Sequence, residues 1–282
     1  MSGNPKTYGE LLNTATRLLG SKFEAGQLFT HVTQKKIYHM SFLSKKPAPE
    51  NQADLLLRMC KRRLAGEPLQ YLLGEWEFYG LPFKVGKGVL IPRADTEALV
   101  DTALDLLKDK KSPIVLDLCS GTGCVAIAIS HHRPDALVTA VEVSETAYSY
   151  LLENIELNRS KAEPVKQDLK EYKHPCRLDM LVSNPPYIPK ETIATLQPEV
   201  RLEPRLALSG GSDGLDFYRI IPRLYIGQIL PGGWFCLEIG SGQSKQVVKI
   251  LEECGCTDIF VRDDYSGIPR VACARKPESL EV

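Results

Sequence analysis

The segment Leu181-Val182-Ser183-Asn184-Pro185-Pro186-Tyr187 gathers groups suited to chemistry on a planar nitrogen. Two consecutive prolines pre-set φ and supply no backbone N–H, so the chain there is held extended and stiff. What remains is acceptor-rich. The Asn184 side-chain oxygen and the Pro185 carbonyl can point one way, and Tyr187 adds a flat face for stacking. Asn184, Pro185, Pro186 and Tyr187 therefore read as a receptor for an NH₂ group, its N–H donors bound and its lone-pair face turned toward a methyl donor. A conjugated nitrogen is a poor nucleophile because its lone pair is delocalised. Two acceptors on its protons pyramidalise it, fix an in-line approach and hold the cationic transition state better than the ground state. Asn184, Pro185 and Tyr187 are the expected catalytic positions. No metal site and no Ser/His/Asp set is expected.

Two further features suggest where a donor would sit. Ile114 to Leu118 is an apolar run ending in Asp117-Leu118, followed by the small-residue loop Cys119-Ser120-Gly121-Thr122-Gly123. A buried strand, a glycine-containing loop and a helix in succession make a ligand crevice at the carboxyl end of an open α/β sheet. The spacing is not Gly-x-Gly-x-x-Gly, which weakens a dinucleotide reading. Glu142 closes the next strand and can accept both hydroxyls of a ribose, or can cap the helix that follows. Together these features indicate an adenosine-bearing cofactor without choosing between NAD and S-adenosylmethionine.

The elements that must position these residues follow a β-α alternation from about Asp95. Strands are expected at 113–118, 136–141, 164–166, 179–182, 233–239, 259–262 and 271–274, with helices at 96–108, 125–131, 144–158, 214–229 and 243–254. Such repeats imply a parallel sheet covered on both faces. No helix separates the last two strands, so one of them is expected to run antiparallel. Leu11, Leu12, Ala15, Leu18 and Leu19, and later Leu55, Leu56, Met59 and Leu64, recur at helical spacing, so 5–66 reads as a bundle of short helices. Tyr71 to Ile91, aromatic and β-branched residues among glycines, reads as a hairpin joining the two parts.

With 282 residues the chain has room for about two domains. Lys plus Arg and Asp plus Glu are 35 each, which argues against holding nucleic acid by bulk charge. The charge is uneven: residues 1–72 carry net +6 and the remainder −6. Arg58, Lys61, Arg62 and Arg63 form the densest basic cluster, either a solvated helix face or a surface that steers an acidic or large partner. No apolar stretch approaches the ~18 residues of a membrane helix, and the first ten residues have no apolar signal core. Eight scattered cysteines, none in a CxxC, suit reduced thiols in the cytoplasm. Cys254 and Cys256 are read as small residues between a helix and a strand rather than as metal ligands.

Over nearly its full length the sequence resembles the HemK/PrmC peptide-chain release factor glutamine N5-methyltransferases. The likeness is carried by Pro68-Leu69-Gln70-Tyr71-Leu72-Leu73-Gly74, Phe78 to Val85, Val89 to Glu97, Asn184 to Tyr187, Glu199-Val200, Glu203-Pro204, Gly210 to Leu215 and Leu237-Glu238-Ile239-Gly240. It implies a Rossmann-like class I methyltransferase domain with a mostly parallel seven-stranded sheet, over 93–282. A helical substrate-recognition domain (1–70) and a β-hairpin linker (71–92) would precede it. It also implies S-adenosylmethionine as cofactor, held by Asp117, Cys119, Ser120, Gly121, Thr122, Gly123, Glu142, Asp168, Leu169 and Asn184. The substrate, the glutamine of the Gly-Gly-Gln loop of class-1 release factors, would meet Asn184, Pro185, Pro186, Tyr187 and Arg93. The sequence departs from the family where Cys119 replaces Gly, Ala94-Asp95 replaces Pro-Glu and Glu142 replaces Asp. Arg93 and Glu97 either touch the cofactor or brace the hairpin. The expectation is a monomer without stable nucleic acid or a membrane. Alternatives are an N6-adenine or N2-guanine nucleic-acid methyltransferase using the same amino-group receptor, a non-catalytic cofactor-binding regulator, and, more remotely, a nicotinamide oxidoreductase.

Overall fold

A computed structural model describes residues 7–278. The chain forms two compact units. One takes the residues up to Glu75 together with Gln197–Leu202, and the other takes Trp76–Leu196 and the chain from Glu203 onward.

The first unit is helical: α1 (Tyr8–Leu19), α2 (Lys22–Thr33), α3 (Met40–Leu43), α4 (Glu50–Leu64) and α5 (Leu69–Leu73). Thr7 and Glu10 close a reciprocal capping box at the start of α1, and Ser21 caps α2. Leu11, Ala15, Leu28, Phe29, Leu56 and Met59 fill the interior. The basic cluster is partly internal. The Arg63 guanidinium lies on Glu24 of α2 at 2.8 Å and reaches Glu199 at 3.1 Å, while Arg62 pairs with Glu67. Arg58 and Lys61 are exposed. Residues 71–73, expected within the hairpin, belong instead to α5 (Leu69–Leu73). Pro68 supplies the fixed φ that opens a helix, and Gly74, at φ 74, closes it in the left-handed region.

The second unit begins with the hairpin β1 (Glu75–Phe78) and β2 (Leu81–Lys84), then α6 (Glu97–Leu106), β3 (Ile114–Leu118), α7 (Cys124–His132) and β4 (Leu137–Glu142). It continues with α8 (Glu145–Leu157), β5 (Glu163–Lys166), β6 (Leu178–Ser183), α9 (Arg205–Leu208), α10 (Asp216–Tyr225), β7 (Ile229–Glu238), α11 (Ser244–Glu253), β8 (Thr257–Asp263) and β9 (Pro269–Arg275). The seven-stranded sheet has the order β5-β4-β3-β6-β7-β9-β8, and β9 alone runs antiparallel to its neighbours. The expected antiparallel strand is therefore the last.

The central strands are buried on both sides, and successive residues alternate between two cores. Val115, Met180, Val182 and Cys236 face α6, α7 and Leu151 of α8, together with Phe78 and Phe83 of the hairpin. Leu116, Leu118, Leu181, Phe235 and Leu237 face α10 and α11 through Tyr218, Ile221, Tyr225, Val247 and Leu251. The hairpin is thus part of the second unit. Asn154 of α8, fully buried, fastens it by accepting from Lys84 N at 2.6 Å and donating to the Lys84 carbonyl at 3.1 Å. The stretch expected to complete the hairpin, 85–92, forms no strand. None of the described helices is long and apolar enough to cross a membrane.

Candidate active site

The strand order reverses between β3 and β6, and a crevice opens at such a switch point beyond the carboxyl ends of the strands. Registry brings the predicted groups to that edge. Leu118 lies beside both Val141 and Ser183, Glu142 beside Lys166, and Ser183 beside Leu237. The residues that follow each strand therefore emerge in a row: Asp168 after β5, Glu142 on β4, Cys119 after β3, Asn184 after β6 and Glu238 on β7. Ser183 Oγ donates to the Leu118 carbonyl at 2.6 Å and ties the two central loops together.

A cavity of about 210 Å³ occupies this edge. Its walls include Asp117, Cys119, Ser120, Gly121, Thr122, Glu142, Asp168, Leu169, Asn184, Pro186 and Arg93, so most of the predicted site residues converge. Gly123, Pro185 and Tyr187 are not among the wall residues. Gly123 packs instead under α8: a Cβ there would lie 2.3 Å from Leu151 Cδ1. The Tyr187 ring is turned away from stacking in the cavity. Its hydroxyl lies 3.5 Å from Glu238 Oε1, and its carbonyl accepts from Gln243 Nε2 at 3.0 Å.

On the β3–β4 side, Asp117 is buried and its Oδ2 has no hydrogen-bond partner. Burial pushes its carboxyl up to about 8. Glu142 accepts from Gly121 N and Ser144 N, each at 2.8 Å. Burial raises its pKa and these two N–H groups oppose the rise. The carboxylate so ties the Gly121 loop to the start of the next helix, whose cap is Ser144, while still lining the cavity. Cys119 sits at φ 60, a region L-residues seldom occupy and in which glycine is at ease. Burial raises its thiol pKa as well.

On the β6 side, Asn184 Nδ2 donates to the buried Thr96 Oγ1 at 3.1 Å. With its nitrogen committed there, the amide has its oxygen left as the acceptor at the cavity wall. The loop is buttressed by 209–215. Ile188 and Ser209 form a bridge, Gly210 N donates to the Ile188 carbonyl, and Gln243 Nε2 also reaches the Gly214 carbonyl. A Cβ at Gly210 would come within 2.7 Å of the Pro186 carbonyl oxygen, and one at Gly214 within 2.3 Å of that of Tyr187. The glycines allow the two backbones to touch.

Arg93 lines the cavity and is paired with the buried carboxylate of Glu203, whose other oxygen accepts from Ile91 N at 3.1 Å. Glu97 accepts from Tyr79 N at 3.1 Å, so it braces the hairpin turn. Sequence reasoning missed the strip Gly88 to Pro92 as a wall, along with Thr96, Leu206 and Phe217. Gly86 and Gly88 were a signal there: a Cβ at Gly88 would meet Thr146 of α8 at 2.6 Å. Among the described residues no group of three or more His, Cys, Asp or Glu is arranged to hold a metal ion.

Comparison with known proteins is consistent along the chain. Residues 10–74 match the family model described as the PrmC N-terminal domain, and 95–198 match the methyltransferase small domain. The release factor glutamine methyltransferase of Geobacter sulfurreducens is 42% identical over 231 residues, covering 82% of this chain and 81% of that protein. Its counterpart in Thermodesulfovibrio yellowstonii is 39% identical over 266 residues, covering 91% and 93%. The chain belongs to the release factor glutamine methyltransferases. In fold, it is similar to a methyltransferase from Pyrococcus furiosus (TM-score 0.54, 17% identity), covering 81% of this chain and 100% of the other.

The cavity of this release factor glutamine methyltransferase suits S-adenosylmethionine, the family's methyl donor. The unpartnered Asp117 Oδ2 is the observation that tests the fit, because a buried carboxylate oxygen without a donor favours a cationic ligand.

Proposed function

We propose that the chain transfers a methyl group from S-adenosylmethionine to the side-chain amide nitrogen of the glutamine in the Gly-Gly-Gln motif of class-1 peptide-chain release factors. The observation that carries this reading is Asn184, whose amide nitrogen is held by Thr96 so that its oxygen is the group offered to a ligand. The bound cofactor supplies a methyl carbon activated by a sulfonium.

The chain's own residues do the rest. Asp117 would face the cofactor's positive charge and Glu142 its ribose hydroxyls, and Asp168 with Leu169 would border its adenine. The loop Cys119 to Gly123 would lie along the methionine part through its wall residues Cys119 to Thr122. Asn184 Oδ1 accepts one N–H of the substrate amide, and the Pro185 carbonyl accepts the other. Nitrogen lone-pair density then points at the methyl carbon, and the positive charge that grows on nitrogen meets oxygens already aimed at it. The N–CH3 bond would form as the S–CH3 bond breaks, the electron pair staying on sulfur in the departing S-adenosylhomocysteine. The N-protonated methyl amide so formed is a strong acid and gives its proton to water, so no dedicated base is required. Pro186 and Tyr187 hold the corner in shape, and Arg93 lines the approach.

We place the reaction in the cytoplasm and the protein as a monomer without stable nucleic acid. The acidic balance of residues 73–282 supports the last point, since it disfavours a phosphate-binding groove. The helical unit is the part proposed to grip the release factor away from its glutamine.

The test is incubation with purified release factor and labelled S-adenosylmethionine, followed by mass spectrometry of the Gly-Gly-Gln peptide. Label is expected on the glutamine. Asn184→Ala should lower kcat at least about a hundredfold while cofactor binding persists. Label entering nucleic acid instead, or full activity in Asn184→Ala, would refute the reading.

A further inference from the structure

Asn184 works only in one of its two amide orientations. A carboxamide flipped by 180° would present N–H donors to a substrate that itself offers N–H donors. The contact that selects the orientation is Thr96 Oγ1, yet a hydroxyl both donates and accepts and cannot choose by itself. Something must take the threonine proton.

Glu238 occupies the required position. It is the last residue of β7, one step beyond the register pair Ser183–Leu237, so it rises beside Asn184 at the same sheet edge. Its side chain is buried, and its Oε2 has no hydrogen-bond partner. Thr96, itself buried and 3.1 Å from Asn184 Nδ2, favours the ionised form of this carboxyl through its hydroxyl. Tyr187, in the same loop as Asn184, directs its hydroxyl at Glu238 Oε1. The Leu237-Glu238-Ile239-Gly240 segment is otherwise unused by the reaction as described.

We infer that Glu238 is a positioning residue: its carboxylate takes the Thr96 proton, leaves Thr96 Oγ1 only able to accept from Asn184 Nδ2, and thereby presents Asn184 Oδ1 to the substrate amide. The inference rests on the proposed glutamine methylation and deepens it. A protonated Glu238 reverses the chain. It donates to Thr96, Thr96 donates to Asn184 Oδ1, and the amide turns its nitrogen toward a substrate that cannot accept it.

Protonation is within reach because burial pushes the Glu238 carboxyl up to about 7. The groups facing it come from every element around it. Arg270 of β9 and the Thr96 and Tyr187 hydroxyls favour the ionised form, and Asp95 ahead of α6 opposes it. Tyr218 of α10 donates to the Glu238 main-chain carbonyl at 2.8 Å, and Cys124 of α7 also senses its charge. Arg270 is shared with Asp264 and Asp95 and so does not neutralise Glu238 alone.

The experiment measures kcat on whole release factor with saturating cofactor between pH 5.5 and 8.5, alongside melting temperature and cofactor affinity. The wild-type kcat should fall below about pH 7. Thr96→Val keeps the shape but removes the hydroxyl. It should lower kcat about ten- to a hundredfold and abolish the acid limb, with melting temperature and cofactor affinity kept. Thr96→Ser should restore both. Glu238→Gln should also lose the limb, and its loss of kcat should not multiply with that of Thr96→Val, since the two act in one chain. An acid limb that persists in Glu238→Gln or Thr96→Val, or losses that multiply, would overturn the inference. Wild-type protein inactive on release factor would sink the proposed function itself, whereas active wild type with indifferent variants would sink only the role of Glu238.

Discussion

Asp117 shows how one unsatisfied atom links burial to ligand binding. In the free protein its carboxyl has been pushed up to about 8, so the folded state is favoured while Asp117 is protonated. That advantage is full below the ordinary aspartate value and is lost as pH rises toward 8. A cation bound beside Oδ2 selects the ionised form. Cofactor affinity should therefore rise between pH 6 and 8, by up to about tenfold per pH unit, with release of a proton. Titration calorimetry in buffers of different ionisation heat measures both effects. Asp117→Asn should bind more weakly at pH 8 and show no slope, and a slope unchanged in that variant would refute the assignment. Cys119, read from the sequence as a departure from the family pattern, stands at a left-handed φ that favours glycine. Glu142 spends part of its carboxylate on two backbone N–H groups of its own chain.

At the scale of elements, the Cys119–Gly123 loop, the hairpin and the Asn184–Tyr187 loop are each held by side chains outside the cavity. Asn154 bridges β2 and the Cys119–Gly123 loop, because it also donates to the Thr122 carbonyl at 3.0 Å. Asn154→Ala would remove the acceptor for Lys84 N–H and the donor to the Lys84 and Thr122 carbonyls. About 3 kcal/mol of stability should be lost, visible as a lower denaturant midpoint. The 209–215 segment plays the matching part for Asn184 to Tyr187. Gly214, at φ 80 and pressed against the Tyr187 carbonyl, admits no side chain without moving that loop. Gly214→Ala should lower kcat by about a hundredfold, because a shift of one ångström at the reacting amide suffices for that, while cofactor affinity changes little. Equal losses in kcat and in cofactor affinity would place the damage elsewhere.

For the molecule as a whole, the net +6 of residues 1–72 acquires a sharper meaning once Arg62 and Arg63 are seen in ion pairs with Glu67, Glu24 and Glu199. Arg63 ties α4 to α2, and Arg62, though exposed, is paired with Glu67, so Arg58 and Lys61 are the exposed members of the cluster outside these pairs. Arg58→Glu with Lys61→Glu should raise KM for whole release factor and leave a short Gly-Gly-Gln peptide unaffected. Added salt should narrow the difference, since screening acts over about 8 Å at physiological ionic strength. Equal effects on factor and peptide would argue against a docking role. Much of this organisation was open to reading in the chain. The βα alternation foretold the strands of the sheet and an antiparallel one at the end, because strands buried on both faces are written as apolar runs. Residues 71–73 fall in a helix rather than the expected hairpin because aromatic and leucine side chains suit a short helix as well as a strand, and only Pro68 and Gly74 decide between them.

Local chemistry alone established which loops could meet a ligand. Asn184 between a strand and two prolines, small residues after Asp117 and a carboxylate closing the next strand each carry their meaning within a few residues. Which of them share a cavity is a matter of strand order and register, and these pair residues far apart in sequence: Leu118 with Ser183, and Ser183 with Leu237. The chain could not disclose that Tyr187 turns from the cavity toward Glu238, or that Asn184 hands its nitrogen to Thr96. Those relations arise from packing, where burial removes water as a partner and leaves each polar atom to find its match in another element.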